Sequence, residues 1–341
     1  MKLKKEFLDF YNEIRIDVEA NSLKDKREIL QNDIESNLPG ILDEHDISIN
    51  KSDIRIIDQG SYKYNTTIKD DVVDRDVAVI IPLDIYENSD PRTIKKYLKR
   101  SIEIPSRTVT IKEPCVRASY YENEEEYLHI DLPLYAKYNE KNYLARGKEN
   151  SQNYLWEEAD PDGLNNYLCG KINGNQQLRR IICFIKKWKN EKYKNSTSDH
   201  QVPPSIGLTL LACDYFISKS TLDGDDDLLS LQSTMKAILD EFTVDKNWYT
   251  GEITSANINC NLPVDPYSDV FKKMKDASDS YMITFYKRLS KAVSDLTDAV
   301  NLESEHDAGN CVKKVLGDEF NVPEKDVEDS ETKSRREHCF G

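Results

Sequence analysis

Through residues 4–37 apolar side chains recur every three or four positions, at Phe7, Phe10, Tyr11 and Ile14 and again at Ile29, Leu30 and Ile34, the spacing of one helix face. Two leading helices are expected, ending before Pro39-Gly40, because proline and glycine interrupt a helix. The period then changes. Short β-branched and aliphatic runs over 53–58, 72–83, 108–113, 117–120 and 127–135 read as strands, with one amphipathic helix over 91–100 among them. From about residue 160 the helical spacing returns and predicts helices over 175–190, 205–219, 228–242, 270–301 and 306–320. A sheet-rich unit followed by a helical one is an α+β arrangement. With the boundary near 160–163, the expected domains are 1–162 for the leading helices and sheet, 163–321 for the helical part, and a flexible acidic tail over 322–341.

At 341 residues the chain is long enough for two domains. Its formal net charge of -15 leaves no general basic field to hold a phosphate backbone, so extended nucleic-acid binding is not expected. A local exception is Arg179, Arg180, Lys186, Lys187 and Lys189 on one predicted helix, enough charge to grip a triphosphate and a poor platform for a duplex; a solvated helix face is the plainer reading. The seven cysteines are scattered without zinc-ligand spacing or a disulfide framework, which predicts buried or free thiols in a reducing compartment. The first residues lack the apolar core of a signal peptide, and no stretch approaches the ~18 to 20 apolar residues of a membrane span. A soluble, cytoplasmic protein with no membrane partner is expected.

The candidate chemistry lies at the head of the second strand. In VVDRDVAVIIPL, residues 72–83, Asp74 and Asp76 stand two apart, so both side chains project to one face while Arg75 projects to the other. Carboxylates on an otherwise aliphatic strand are costly unless they pair with a Lys or Arg or bind a cation. Two convergent carboxylates form the hard oxygen site that Mg2+ prefers, with the remaining ligands supplied by water and substrate phosphates. Asp131, on the later strand, completes the cluster, and Gly60-Ser61 precedes it after the first strand. A glycine there lets the backbone approach a phosphate, and the Ser61 hydroxyl and following amides can donate to its oxygens. This is the layout of a nucleotidyltransferase site for two Mg2+ ions, with Mn2+ as a substitute.

The order Gly-Ser, Asp-x-Asp, a lone Asp on a later strand, then a helical region with "LRRIICFIKKW", "PPSIGLTLLACDYF", "VDPYSDVFKKM" and "VLGDEF" resembles the DNA polymerase beta-like nucleotidyltransferases, and within them the CD-NTases. These are the bacterial relatives of cyclic GMP-AMP synthase that make cyclic oligonucleotide signals in CBASS anti-phage defence. The resemblance implies a mixed sheet with flanking helices as the catalytic core and a C-terminal helical domain closing over the nucleotide site. It implies that Asp74 and Asp76 ligate both ions, that Asp131 ligates the ion activating the attacking hydroxyl, and that Gly60 and Ser61 hold the donor's β- and γ-phosphates. Lys186 and Ser205, the latter expected to cap the next helix, match positions that touch the donor triphosphate. Residues 64–67, Tyr-Asn-Thr-Thr, depart from the glycine many relatives carry shortly after Gly-Ser.

The implied activity joins ATP, with GTP or other ribonucleoside triphosphates, into a cyclic di- or trinucleotide and releases pyrophosphate. The tail ending in Gly341 resembles those of CD-NTases whose terminal glycine is conjugated by a companion ubiquitin-like ligase; a peptide-binding regulator from the same operon is a second implied partner. Two further readings stay open. One is transfer to another acceptor, such as an RNA end, a small molecule or a protein. The other is an inactive scaffold, against which three convergent carboxylates argue.

Overall fold

The computed structural model of the protein describes residues 2–16, 21–69 and 73–325. Two leading helices, α1 (Lys4–Ile14) and α2 (Asn21–Asp43), precede β1 (Arg55–Gln59), the four-residue turn α3 (Gly60–Lys63) and β2 (Val73–Pro82). Next come α4 (Pro91–Ile102), β3 (Thr108–Ile111), β4 (Val116–Glu122), β5 (Glu125–Leu132), β6 (Leu134–Tyr138), β7 (Lys141–Arg146), β8 (Leu155–Ala159) and α5 (Pro161–Ile172). The remaining elements are α6 (Gln176–Tyr193), α7 (Ser205–Asp214), β9 (Ser220–Thr221), β10 (Gly224–Asp225), α8 (Asp227–Asp240), β11 (Thr243–Lys246), β12 (Ile253–Asn257), α9 (Lys272–Ala277), α10 (Asp279–Asn301) and α11 (Glu305–Leu316).

The chain divides into two compact units, a sheet unit of residues 16–173 with 262–268 and a helical unit of residues 1–15, 174–261 and 269–341. This differs from the expected boundary at 162. Helix α5 belongs with the sheet and α1 with the helices, because Phe7 and Phe10 of α1 pack their rings on Phe184 of α6 and on Phe320. Such pairing of aromatic side chains distant in sequence leaves no local signal.

In the sheet unit the strand order is β3-β4-β5-β2-β6-β7-β8, with β1 antiparallel to β2. The expected strand over 127–135 is interrupted at Pro133, yet β5 and β6 both run parallel to β2 in one register, Asp76 opposite Asp131 and Val79 opposite Leu134. Val77, Val79 and Ile81 of β2 face a large core with Leu30, Ile34, Leu38 and Leu42 of α2 and Ile94, Leu98 and Ile102 of α4. Ala78 and Ile80 face a smaller cluster with Tyr135 and Leu144 on the other side. Burying each Val or Ile contributes roughly 1.5–3 kcal/mol, so β2 is anchored firmly enough to carry charge at its head.

Helix α2 continues through Pro39 to Asp43, past the expected stop. Leu38 and Leu42 are fully buried and prolong its apolar face, and that burial outweighs the proline. Strands β7 and β8 were not anticipated, since their residues are largely half-exposed and polar. The hairpin β11–β12 in the helical unit is likewise unanticipated. The expected helix over 270–301 is two, divided at Ser278, whose side chain caps α10.

Candidate active site

Strand pairing brings residues from four strands into one row. Arg117 on β4 lies opposite Asp131 on β5, Asp131 opposite Asp76 on β2, and Asp76 opposite Gln59 on β1. A second row, Ser119, His129 and Asp74, runs beside it. Paired residues share a face, so Asp74, Asp76 and Asp131 converge, on the face away from α2 and α4. Arg75 and Ile130, between them in sequence, point to the other face.

The three carboxylates are held differently. Asp131, 9 % exposed, accepts two hydrogen bonds from Arg117, at 2.7 and 2.8 Å. It thus satisfies the ion-pair reading as well as being a candidate ligand. Asp74 is exposed and its Oδ1 lies 3.1 Å from His129 Nε2, while His129 Nδ1 lies 3.2 Å from Glu126. Burial lowers the His129 pKa, but the hydrogen bond and charge of Asp74 outweigh it and the net shift is upward. Asp76 is pushed up to about 7, first by burial and then by the charges of Asp74 and Asp131, against which Arg117 and His129 pull only in part. Burial is the larger cause of that rise, and the two neighbouring carboxylates add to it.

Ligand atoms of Asp74, His129 and Asp131 lie within 4.8 Å of one another. The donor set, mostly carboxylate oxygen with uncompensated charge, fits a hard divalent cation. His129 and Arg117 were missed by the sequence reading. Each is identified by cross-strand register, which sequence periodicity does not reveal.

Gly60 opens the α3 turn with φ +67 and packs so tightly on Asp76 that an added Cβ would sit 2.1 Å from Asp76 Oδ2. The left-handed backbone and the close approach both require glycine here. Ser61 Oγ lies 3.0 Å from Thr67 Oγ1, and the Thr66 amide donates to the Ser61 carbonyl at 2.9 Å. Asn65, in the stretch that lacks the usual glycine, adopts φ 54 itself, a conformation asparagine tolerates. Cys115 is buried beside Asp131, and burial, then that charge, push its thiol well up, so it stays protonated.

Lys186 and Ser205 belong to the helical unit. Lys186 is 6 % exposed. Ser205 is the first residue of α7 rather than its cap, a position Pro204 occupies, and its hydroxyl accepts from Lys189 Nζ at 2.8 Å. The expected five-cation patch on α6 is dispersed. Arg180 pairs with Asp225 and Asp227, Lys187 pairs with Glu319 at 2.7 Å, and Arg179 donates to Gln176. An 18-residue helix carries its side chains on all sides, so cations close in sequence separate in space. Gly341 lies outside the described residues. Among those residues no helix is long and apolar enough to cross a membrane.

Residues 54–135 match the family described as "Cyclic GMP-AMP synthase DncV-like, nucleotidyltransferase domain". That span runs from the start of β1 into β6 and holds Gly60, Ser61 and all three aspartates. No curated protein matches the chain by sequence. Among solved structures, the chain is similar to Vibrio cholerae DncV cyclic AMP-GMP synthase in complex with nonhydrolyzable GTP, with TM-score 0.66 and 16% identity over 95% of this chain and 100% of that one. The same enzyme with the linear intermediate 5′ pppA(3′,5′)pG gives 0.64 and 16% over 94% and 96%. Escherichia coli DncV bound to 3′-deoxy GTP gives 0.63 and 16% over 90% and 93%.

Proposed function

Since the chain carries a nucleotidyltransferase domain of the DncV-like family within a DncV-like fold, we propose that it joins ribonucleoside triphosphates into a cyclic di- or trinucleotide signal, with release of pyrophosphate, in anti-phage defence. The observation that carries this reading is the row Arg117, Asp131, Asp76 with the Gly60 turn packed against its last member.

Asp74, Asp76 and Asp131 would hold Mg2+, with Mn2+ as a substitute. The chemistry such ions supply is activation of a ribose hydroxyl and neutralisation of the triphosphate. The protein's own groups position. Arg117 orients Asp131 through two hydrogen bonds, and His129 fixes the Asp74 carboxylate. Glycine at 60 lets the turn pack directly on the Asp76 carboxylate, and Ser61 with the amides of its turn would donate to the β- and γ-oxygens. Lys186 and Ser205 are proposed phosphate contacts of the helical unit, where the Lys189 ammonium on the Ser205 hydroxyl adds positive charge. ATP and GTP are the first substrates to test, because the Vibrio cholerae enzyme has been solved with a GTP analogue and with pppA(3′,5′)pG.

The test is incubation with all four ribonucleoside triphosphates and Mg2+ or Mn2+, then phosphatase treatment and mass spectrometry. A phosphatase-resistant cyclic di- or trinucleotide is expected; nucleotide attached instead to added RNA or protein would establish the other-acceptor reading. Conjugation at Gly341 by a ubiquitin-like ligase system is proposed from the tail sequence. Intact-mass analysis after co-expression with the neighbouring operon products tests it, and a chain that remains entirely free contradicts it.

A further inference from the structure

The residue between the two β2 aspartates has a defined environment on the opposite face of the sheet. Arg75 is 5 % exposed. Its Nη2 and Nε lie 2.7 and 3.2 Å from Asp58 Oδ1, and its guanidinium carbon sits 4.1 Å from the centre of the Tyr62 ring. Asp58 is the penultimate residue of β1 and also faces Arg27 of α2 at 3.6 Å, while its carbonyl accepts from Asn165 of α5. Tyr62 belongs to the α3 turn, two residues after Gly60 and next to Ser61.

The turn is therefore gripped from both faces of one strand by adjacent residues. On the site face Gly60 abuts the Asp76 carboxylate. On the far face Tyr62 reaches round to the Arg75 guanidinium. Four residues with one helical turn of hydrogen bonding do not fix their own position, so their placement relative to β2 depends on such side-chain contacts. A planar guanidinium suits both tasks at once, with its edge donating to Asp58 and its face on the ring.

We infer that Arg75 is a positioning residue that locks the Gly60-Ser61 turn at a fixed distance from the carboxylates of its own strand, and so sets the affinity for the donor nucleotide's phosphates without touching nucleotide or metal. This rests on the proposed nucleotidyltransferase reading and adds to it a determinant built into the second residue of Asp-Arg-Asp. It separates two affinities that a general loss of structure would lower together. The metal carboxylates sit on β2 itself and keep their places when the turn shifts.

The experiment uses the full-length protein and four variants, Arg75→Met, Arg75→Lys, Tyr62→Leu and the Arg75→Met/Tyr62→Leu double variant. Affinity for a nonhydrolysable ATP analogue and for Mn2+ alone is measured by calorimetry, with thermal melts alongside. Arg75→Met and Tyr62→Leu should each weaken the nucleotide about tenfold, the size of one partly desolvated cation–π contact, and the double variant no further. Mn2+ affinity should stay within about twofold of wild type. Arg75→Lys should restore the melting temperature through the Asp58 ion pair but not the nucleotide affinity. Tyr62→Leu leaves the Arg75–Asp58 pair in place and carries the test if Arg75→Met fails to fold. Wild-type nucleotide affinity in Tyr62→Leu, or parallel loss of Mn2+ and nucleotide, overturns the positioning role and leaves the proposed function standing. A wild-type protein that binds Mn2+ but no nucleoside triphosphate overturns both.

Discussion

Two clusters of buried charge, one in each unit, are built to opposite ends. In the helical unit Arg180 lies between Asp227, at 2.6 and 2.9 Å, and Asp225, at 2.8 Å, and Gln177 adds a donor to Asp227. Burial holds the Asp227 pKa above the ordinary carboxylate value even though Arg180 pulls it down, and the side chain of Asp225 is half-exposed. On the sheet face three carboxylates share one arginine and one histidine, and Asp76 is left at about 7. Two carboxylates bonded to one arginine carry a smaller excess of negative charge than three beside one arginine and one histidine, and the larger excess favours a cation at the sheet cluster. The difference separates a structural ion cluster from a binding site, where acidic residues alone do not.

The comparison is broken most severely by removing the charge that makes the sheet cluster unbalanced. Asp74→Asn with Asp76→Asn should lower nucleotidyl transfer by roughly 10^3-fold or more, the several kcal/mol expected from ion-assisted charge stabilisation. The metal-free melting temperature should not fall, because mutual repulsion is removed with little change in volume. Arg180→Leu should do the reverse. It strands Asp227 in the interior and should destabilise the protein by about 3–5 kcal/mol in a denaturant titration, with Mn2+ affinity of the folded protein unchanged.

Gly60→Ala is a finer cut. The added carbon meets the Asp76 carboxylate and a left-handed backbone that costs about 1–2 kcal/mol for an L-residue. A lower melting temperature by a few degrees is expected, with a loss of nucleotide affinity larger than that strain alone predicts. The remaining effect is on pH dependence. In EDTA, the folded-state pKa of Asp76 stands above its ordinary value of 3.8. The native state therefore binds this proton more tightly than the unfolded state does. Its stabilising contribution is complete below pH 4 and is lost as pH rises toward 7. Melting temperature measured against pH should show wild type losing stability relative to Asp76→Asn across that window, and saturating Mg2+ should abolish the difference.

That Asp74 and Asp76 share a face was legible because strand periodicity fixes which side chains do, and the aliphatic run after Asp76 marks the segment as a strand; Asp131 joins them through the β2–β5 register. Arg75's opposite direction followed from the same rule. Arg117 and His129 were not legible, since their places depend on which strands pair and in what register. The α6 cations failed for a related reason. Their clustering was inferred from sequence proximity, whereas helical rotation and distant partners such as Asp227 and Glu319 decide where each one goes. Pro39 and the α1 helix show that local breakers and sequence order give way to burial when a long apolar face has a partner.

The central claim is that the sheet cluster is completed by divalent cations that also meet a nucleotide. It is tested most directly by a crystal structure grown with Mn2+ and a nonhydrolysable ATP analogue, read by anomalous scattering at the manganese edge. The account predicts manganese peaks ligated by Asp74, Asp76 and Asp131 and by phosphate oxygens, with a terminal phosphate against the Gly60-Ser61 turn. Nucleotide bound elsewhere, or no manganese at the three carboxylates, would contradict it.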